Sequence, residues 1–251
     1  MRLNDRVAIV TGSARGLGRA FCLALAQEGA NIVAADILPC TETVANVQDA
    51  GGEILEVTTD VSSEQSTKAM AAQALEHFGR IDILVNNAAI LVKPTPFHQI
   101  SEADWDRVMA VNVKGMWLCC KAVIPVMQKR GKGKIINLSS DTMWLGTPMI
   151  LHYVVSKGAV FAFTRALARE LSGTDINVNT ITPGYTLTEG TQEMAEPGTT
   201  AQIRASVLNQ QIIKRNGLPA DLVGTVVFLA SDESDFITGQ TINVNGGATH
   251  Y

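Results

Sequence analysis

Short runs of β-branched residues alternate with helix-length stretches along this chain of 251 residues. The runs predict strands at residues 7–10, 31–35, 54–57, 81–85, 134–138, 177–181 and 241–244, and helices lie between them at 19–28, 64–78, 102–129, 156–171 and 220–230. This alternation is typical of βαβ units, and the nearly continuous apolar runs suit strands covered on both faces. Because such crossovers are right-handed, we expect a single α/β domain over residues 1–251. It is a doubly wound parallel sheet with helices on both faces and a ligand crevice at the strands' carboxyl ends.

Composition excludes several classes of function. Hydrophobic residues make up 46% of the chain and charged residues 18%, and the net charge is -4 with no basic block. We therefore expect no nucleic-acid partner. No run of about 18 apolar residues predicts a membrane span, and the start of the chain does not resemble a signal peptide. The four cysteines form no disulfide framework or metal pattern, so we expect a cytoplasmic protein with free thiols and no metal.

A glycine-rich turn follows the first predicted strand and opens a helix. It reads Thr11-Gly-Ser-Ala-Arg-Gly-Leu-Gly18, and it predicts cofactor contacts at Gly12, Ala14, Arg15, Gly16, Leu17 and Gly18. Glycine is required where the chain turns left-handed, where the backbone approaches a pyrophosphate, and where a helix packs closely on a strand. The free N–H groups of the helix then attract phosphates. An idle turn is the alternative, but the position after the first strand favours a dinucleotide site.

Asp36, at the end of the second predicted strand, indicates which dinucleotide binds. A carboxylate there accepts hydrogen bonds from ribose hydroxyls and repels a 2′-phosphate, which favours NAD over NADP. Arg15 is the counter-evidence, since a cation in this loop can pair with a 2′-phosphate; we favour a solvated loop charge. Asp60 and Val61, after the third strand, are expected at the adenine. Asn87 and Ala88, after the fourth, are expected beneath the adenosine, with a plain strand-end turn as the alternative.

Tyr153 and Lys157 are four residues apart in a helical stretch, so they share one face of the helix. An ordinary tyrosine has a pKa near 10, but a lysine ammonium and the positive ring of oxidised nicotinamide would lower this pKa towards neutrality. Tyr153 would then act as a general acid and base. Ser140 ends the fifth strand at the rim of the crevice and is predicted to hold the substrate oxygen. Ser139 competes for this role, and two ordinary surface residues are the alternative for the Tyr–Lys pair.

Together these motifs resemble the short-chain dehydrogenase/reductase family in its single-domain form. The similarity covers the whole chain and also includes Asn112 and Pro183-Gly184. It implies a Rossmann fold, a catalytic set of Asn112, Ser140, Tyr153 and Lys157, and cofactor contacts from Tyr153, Lys157, Pro183, Gly184, Thr186 and Thr188. In this family Lys157 would bind the nicotinamide ribose, Asn112 would hold a relay water, and the two threonines would bind the carboxamide.

The resemblance also implies a homotetramer, with interfaces on helices 102–129 and 156–171 and on the C-terminal strand and tail. Two residues depart from the usual pattern. Ala89 stands where the family usually has glycine, a mild change in the local turn. Asp141 follows Ser140 and either touches substrate or caps the next turn; we favour the cap.

The residues expected near the crevice are mostly apolar. The predicted substrate pocket comprises Leu91, Met143, Trp144, Tyr185 and Met194. It favours a small-molecule ketone or secondary alcohol, although core packing explains some of these residues equally well. Residues 186–215 form either a substrate-covering flap or a surface excursion. Residues 135–188 look most similar to NAD-dependent bacterial secondary-alcohol dehydrogenases.

Two other functions stay open. A 3-oxoacyl-carrier-protein reductase would share the catalytic residues but would prefer NADPH and need a basic docking surface. A non-catalytic dinucleotide-binding regulator would lack Ser140, Tyr153 or Lys157, and all three are present.

Overall fold

A computed structural model describes residues 1–194 and 200–250. Its single sheet has seven parallel strands in the order β3-β2-β1-β4-β5-β6-β7. They are β1 Val7–Thr11, β2 Asn31–Asp36, β3 Ile54–Thr58, β4 Ile83–Asn86, β5 Lys132–Leu138, β6 Asp175–Pro183 and β7 Thr241–Val244. The order reverses between β1 and β4, and this switch point opens a crevice at the strands' carboxyl ends. The predicted doubly wound α/β fold is confirmed.

Helices connect the strands along the described part of the chain. They are α1 Gly16–Gln27, α2 Thr41–Asp49, α3 Glu64–Phe78, α4 Glu102–Met109, α5 Met116–Arg130, α6 Thr142–Leu145, α7 Leu151–Glu170, α8 Glu189–Met194, α9 Thr200–Gln210 and α10 Ala220–Ala230. The sequence did not predict α2, α6, α8 or α9. α7 begins five residues before its predicted start, so Tyr153 lies within the helix. Part of the predicted flap, residues 195–199, lies outside the described residues.

Two apolar layers cover the sheet, one on each face. Every residue of β1 is buried, and successive side chains point to opposite layers: Ala8 and Val10 pack with α1 and α10, while Val7 and Ile9 pack with α3 and α5. This explains why the strands read as continuous apolar runs rather than alternating ones. The four cysteines are buried and free. Burial raises the pKa of each thiol, so the thiols are protonated at neutral pH.

The predicted helix 102–129 is continuous in the structure but contains a π-helical turn. Residues Ala110–Gly115 form this turn between α4 and α5. Within the described residues, one helical segment, Glu102–Arg130, is long and apolar enough to cross a membrane by length and composition. A core helix passes the same test, and here Cys119, Val123 and Met127 are buried in the layer beneath the sheet.

Candidate active site

The glycine-rich turn packs tightly against the end of β4. Gly12 and Gly16 have positive φ, which favours glycine. A Cβ added to Gly18 would lie 2.0 Å from the carbonyl oxygen of Gly12, so α1 approaches the turn as closely as the backbone allows. The Asn87 side chain donates to the carbonyl oxygens of Thr11 at 2.9 Å and Gly12 at 3.0 Å. The predicted residue Asn87 therefore fixes the shape of the turn through its amide.

The structure places Asp36 directly against the glycine-rich turn. One carboxylate oxygen accepts from the Ala14 N–H at 2.9 Å, and the other accepts from the Leu38 N–H at 3.0 Å. Arg15, which the sequence left as a solvated loop charge, instead pairs with Glu193 of α8 at 2.6 Å. Asp60 is exposed, and its carboxylate accepts from the N–H and hydroxyl of Ser62.

These elements fit a dinucleotide. Gly12 and Gly16 have positive φ, and Gly18 has no room for a Cβ. With the Asp36 carboxylate at the end of β2, they form a cradle that residues with a side chain could not make. A small cavity lies between Thr11, at the end of β1, and Lys157. It is lined by Thr11, Val61, Asn86, Ala88, Asn112, Gly115, Met116, Cys119, Leu138, Lys157 and Val160. Three of the predicted cofactor residues, Val61, Ala88 and Lys157, are among them.

At the end of β5 the two candidate serines have different partners. The Ser140 hydroxyl lies close enough to the Tyr153 phenol to lower its pKa by hydrogen bonding, and it accepts from the Thr142 N–H at 3.3 Å. The Ser139 hydroxyl instead donates to the Lys157 carbonyl at 2.7 Å and faces the backbone of α7. The geometry therefore supports Ser140, rather than Ser139, as the hydroxyl that stands with the tyrosine.

Tyr153 and Lys157 lie on one face of α7, with the Lys157 ammonium 5.6 Å from the centre of the phenol ring. Burial raises the pKa of Tyr153 to about 12; the hydrogen bond from Ser140 opposes this rise and the charge of Asp141 adds to it. Burial lowers the pKa of Lys157 to about 8, and its ammonium donates to the Leu138 carbonyl at 2.8 Å. The chain's own groups therefore raise the pKa of Tyr153, and the lowering expected from Lys157 together with oxidised nicotinamide stays a prediction.

Asn112 lies in the π-helical turn and is buried. Its amide oxygen accepts from the Ile90 N–H at 2.8 Å, and its amide nitrogen donates to the Ile90 carbonyl at 3.2 Å and to the Ser156 hydroxyl at 3.1 Å. Ser156 in turn donates to the Tyr153 carbonyl at 2.7 Å. Asn112 thus ties the segment after β4 to α7. The sequence analysis missed Ser156, although its spacing of three from Tyr153 places it on the same side of the helix.

The segment after β6 leads from the sheet to α8. Gly184 N–H donates to the Val244 carbonyl, and a Cβ there would lie 2.8 Å from Asn245. The Thr186 hydroxyl donates back to the Gly184 carbonyl at 3.0 Å. Thr188 caps α8, because its hydroxyl accepts from the Thr191 N–H at 3.2 Å. The hydroxyls of Thr186 and Thr188 are therefore engaged in local turns.

The residues predicted to line the substrate pocket do not all have the same surroundings. Leu91 lies against α8, since its methyl carbon is 3.1 Å from the position of a Cβ on Gly190. The sulfur of Met143 lies 3.4 Å from the Ser139 hydroxyl oxygen. The Trp144 indole packs edge-on against Phe161 of α7, with the ring centres 5.2 Å apart. Tyr185 and Met194 are half-buried, in the segment after β6 and at the end of α8.

Asp141 is the N-cap residue of α6, as favoured from the sequence, but its side chain makes no capping hydrogen bond. It is buried, and burial raises its pKa to about 7, although the N–H groups of Asp141 and Thr142 oppose the rise. Among residues 1–194 and 200–250, no group of three or more His, Cys, Asp or Glu side chains is placed to hold a metal ion.

Comparison with known proteins identifies relatives along almost the whole chain. Residues 12–249 match the family described as "Enoyl-(Acyl carrier protein) reductase". The chain is 39% identical over 246 residues to 2-dehydro-3-deoxy-D-gluconate 5-dehydrogenase of Escherichia coli (strain K12), which covers 98% of this chain and 96% of the relative. It is 35% identical over 249 residues to the 3-oxoacyl-[acyl-carrier-protein] reductase FabG of Thermotoga maritima, covering 98% and 99%.

Solved structures agree with these relatives. Levodione reductase superposes with a TM-score of 0.95 at 29% identity, covering all of both chains. A protein from Agrobacterium tumefaciens, named for 2-deoxy-D-gluconate 3-dehydrogenase and solved with bound NADP, superposes with a TM-score of 0.88 at 32% identity. That superposition covers 98% of this chain and 97% of the other.

Proposed function

Because this chain belongs to the short-chain dehydrogenase/reductase family and is an oxidoreductase acting on CH–OH or keto groups with a nicotinamide cofactor, we propose that it uses NAD to interconvert a secondary alcohol and a ketone. The observation that carries the reaction is the placement of Ser140 and Tyr153 together, beside the buried ammonium of Lys157, which lies 5.6 Å from the centre of the phenol ring. We include a cytoplasmic homotetramer in the proposal, as the family resemblance implies.

A nicotinamide held by these residues would supply the hydride chemistry between a carbinol carbon and a carbonyl carbon. Ser140 donates its hydroxyl proton to the substrate oxygen and orients it. Tyr153 takes the hydroxyl proton during oxidation and gives a proton to the carbonyl oxygen during reduction. Lys157 uses one of its three N–H donors on Leu138, which leaves two for the ribose hydroxyls.

The preference for NAD is supported by Asp36. Its carboxylate lies at the end of β2, against the turn that would hold the adenosine ribose, where it favours hydroxyl donors and repels a 2′-phosphate. Arg15, the cation that would favour a 2′-phosphate, pairs with Glu193 in an exposed contact. Since one structural neighbour holds NADP, direct comparison of the two cofactors is the decisive measurement.

For the substrate we propose an apolar or aryl/alkyl ketone or its carbinol, on the basis of the residues Leu91, Met143 and Tyr185. A second candidate is a sugar acid, because the Escherichia coli relative at 39% identity is named for such a substrate. A carrier-protein-bound acyl chain is less well supported, since the chain has a net charge of -4 and no basic block to dock an acidic carrier.

The test uses purified protein with NAD or NADP and a panel of aryl and alkyl carbinols, sugar acids and a 3-oxoacyl thioester. We expect NAD-dependent turnover of a secondary alcohol, and a loss of at least about 10³-fold in kcat for Tyr153→Phe with NADH binding unchanged. Undiminished turnover by folded, NADH-binding Tyr153→Phe would contradict the assigned chemistry. NADH binding without turnover of any panel member would favour a regulator.

A further inference from the structure

Helix α8 places two carboxylates on the glycine-rich turn. Glu193 pairs with Arg15 at 2.6 Å, and Glu189 pairs with Arg19 of α1. The partners are 178 and 170 residues apart in sequence, so the pairs join α8 to the glycine-rich turn and to α1. The Arg19–Glu189 pair is the less exposed of the two, since the Arg19 side chain is 20% exposed and the Arg15 side chain 46%. Solvent therefore screens the Arg19–Glu189 pair less than the Arg15–Glu193 pair.

Glu189 also reaches the start of α1, where the phosphates of a dinucleotide are expected. Its carboxylate lies close enough to the Gly16 N–H for this group to lower its pKa. The carboxylate oxygen lies 3.8 Å from the position a Cβ on Gly16 would take. Helix α1 has no acidic residue in its first turn, and Arg15 makes no side-chain cap. The negative charge at the N-terminus of α1 therefore comes from Glu189 of α8, which is distant in sequence.

The carboxylate is ionised at neutral pH. Burial raises the pKa of Glu189, but hydrogen bonds from its own N–H, from Arg19 and from the Gly16 N–H outweigh burial and hold the pKa below its usual range. A diphosphate needs the same N–H group and benefits from the same guanidinium. Two anions cannot accept from one N–H group at close range without strong repulsion.

We propose that Glu189 is an internal anion, which the diphosphate of the cofactor must displace from Gly16 and Arg19, so that cofactor binding releases α8 from the glycine-rich turn. This inference rests on the proposed dinucleotide-dependent function. Glu189 is here a positioning residue, because it acts by holding α8 and the N-terminus of α1 together. Displacement frees Arg19 to pair with the diphosphate, and the contact with Glu189 lowers the affinity for the dinucleotide.

The test measures NADH binding by fluorescence titration in wild type, Glu189→Gln and Glu42→Gln. Glu42 of α2 is a matched control, because its carboxylate pairs with the same Arg19 guanidinium at a distance of 2.5 Å. We expect Glu189→Gln to tighten the Kd of NADH threefold to tenfold, where tenfold corresponds to about 1.4 kcal/mol. We expect less than a twofold change for Glu42→Gln. Adenosine, which has no phosphate, should bind wild type and Glu189→Gln equally.

Three results would overturn the inference: unchanged or weaker NADH binding by Glu189→Gln, equal tightening by Glu42→Gln, or equal tightening for adenosine. Parallel titrations with NADPH separate this inference from the proposed function. If only NADPH binds, the NAD preference fails, while the Glu189→Gln effect on NADPH still decides the displacement. If neither dinucleotide binds any variant, both proposals fail.

Discussion

Adding one methyl group at Gly18 is the sharpest test of the geometry of the cofactor cradle. In Gly18→Ala the new Cβ would lie 2.0 Å from the Gly12 carbonyl oxygen and 2.7 Å from the Asn87 amide nitrogen. Because real contacts of this kind stay above 3.0 Å, α1 and the turn must separate by about 1 Å. Overpacking of this kind costs about 1–3 kcal/mol. The shift also strains the two hydrogen bonds of Asn87, each worth about 1 kcal/mol.

We therefore expect Gly18→Ala to lower the free energy of unfolding by roughly 3–5 kcal/mol and to weaken NADH binding at least tenfold. Gly224→Ala is the matched control, since Gly224 is also helical but has open space at its Cβ position. There alanine should stabilise the protein by about 0.5–1 kcal/mol. Urea denaturation and NADH titration measure both quantities. If Gly18→Ala unfolds within 1 kcal/mol of wild type and binds NADH equally well, the argument from close packing is refuted.

Two further predictions concern the catalytic residues. Burial lowers the pKa of Lys157 from 10.5 to about 8, so the unfolded chain binds more protons than the folded protein between these pH values. Stability of wild type relative to Lys157→Met should then rise with pH across this window by up to about 3 kcal/mol in urea denaturation, and a pH-independent difference would refute the shift. Ser140→Ala should lower kcat by about 10²–10³-fold with unchanged NADH binding, in steady-state kinetics. Ser139→Ala should mainly cost about 1 kcal/mol of stability, and equal losses of kcat would contradict the choice of Ser140.

The fold was predictable because its main determinant is local. A parallel strand buried on both faces is mostly apolar, and runs of β-branched residues mark the seven strands within a few residues. Helix α2 was missed because its sequence, Thr41–Asp49, is short and mostly polar. The π-helical turn was missed for a different reason. Its key residue, Asn112, is held by Ile90 and Ser156, and hydrogen bonds between distant segments leave no periodic signal in the sequence.

The catalytic residues were predictable as positions but not as ionisation states. Spacing alone places Tyr153 and Lys157 on one face of a helix, and the end of β5 places Ser140 near them. Whether charge or desolvation decides a pKa depends on how deeply each group is buried, which a spacing does not record. The ion-pair partner of Arg15 was not predictable either, because Glu193 follows 178 residues later in the sequence.

The unexpected direction of the Tyr153 pKa has a consequence for how one residue serves both reaction directions. With the chain's own charges its pKa is about 12, so Tyr153 is a protonated phenol at neutral pH and is ready to give a proton to a carbonyl. Alcohol oxidation needs the phenolate instead, and a nearby positive charge favours the phenolate. Oxidised nicotinamide carries that charge and reduced nicotinamide does not. Tyr153 would therefore be a stronger acid beside the cofactor form that needs a base, and would stay protonated beside the form that needs an acid. In this scheme desolvation of the phenol makes its protonation follow the cofactor's redox state, which a solvent-exposed tyrosine would do only weakly because water screens the charge.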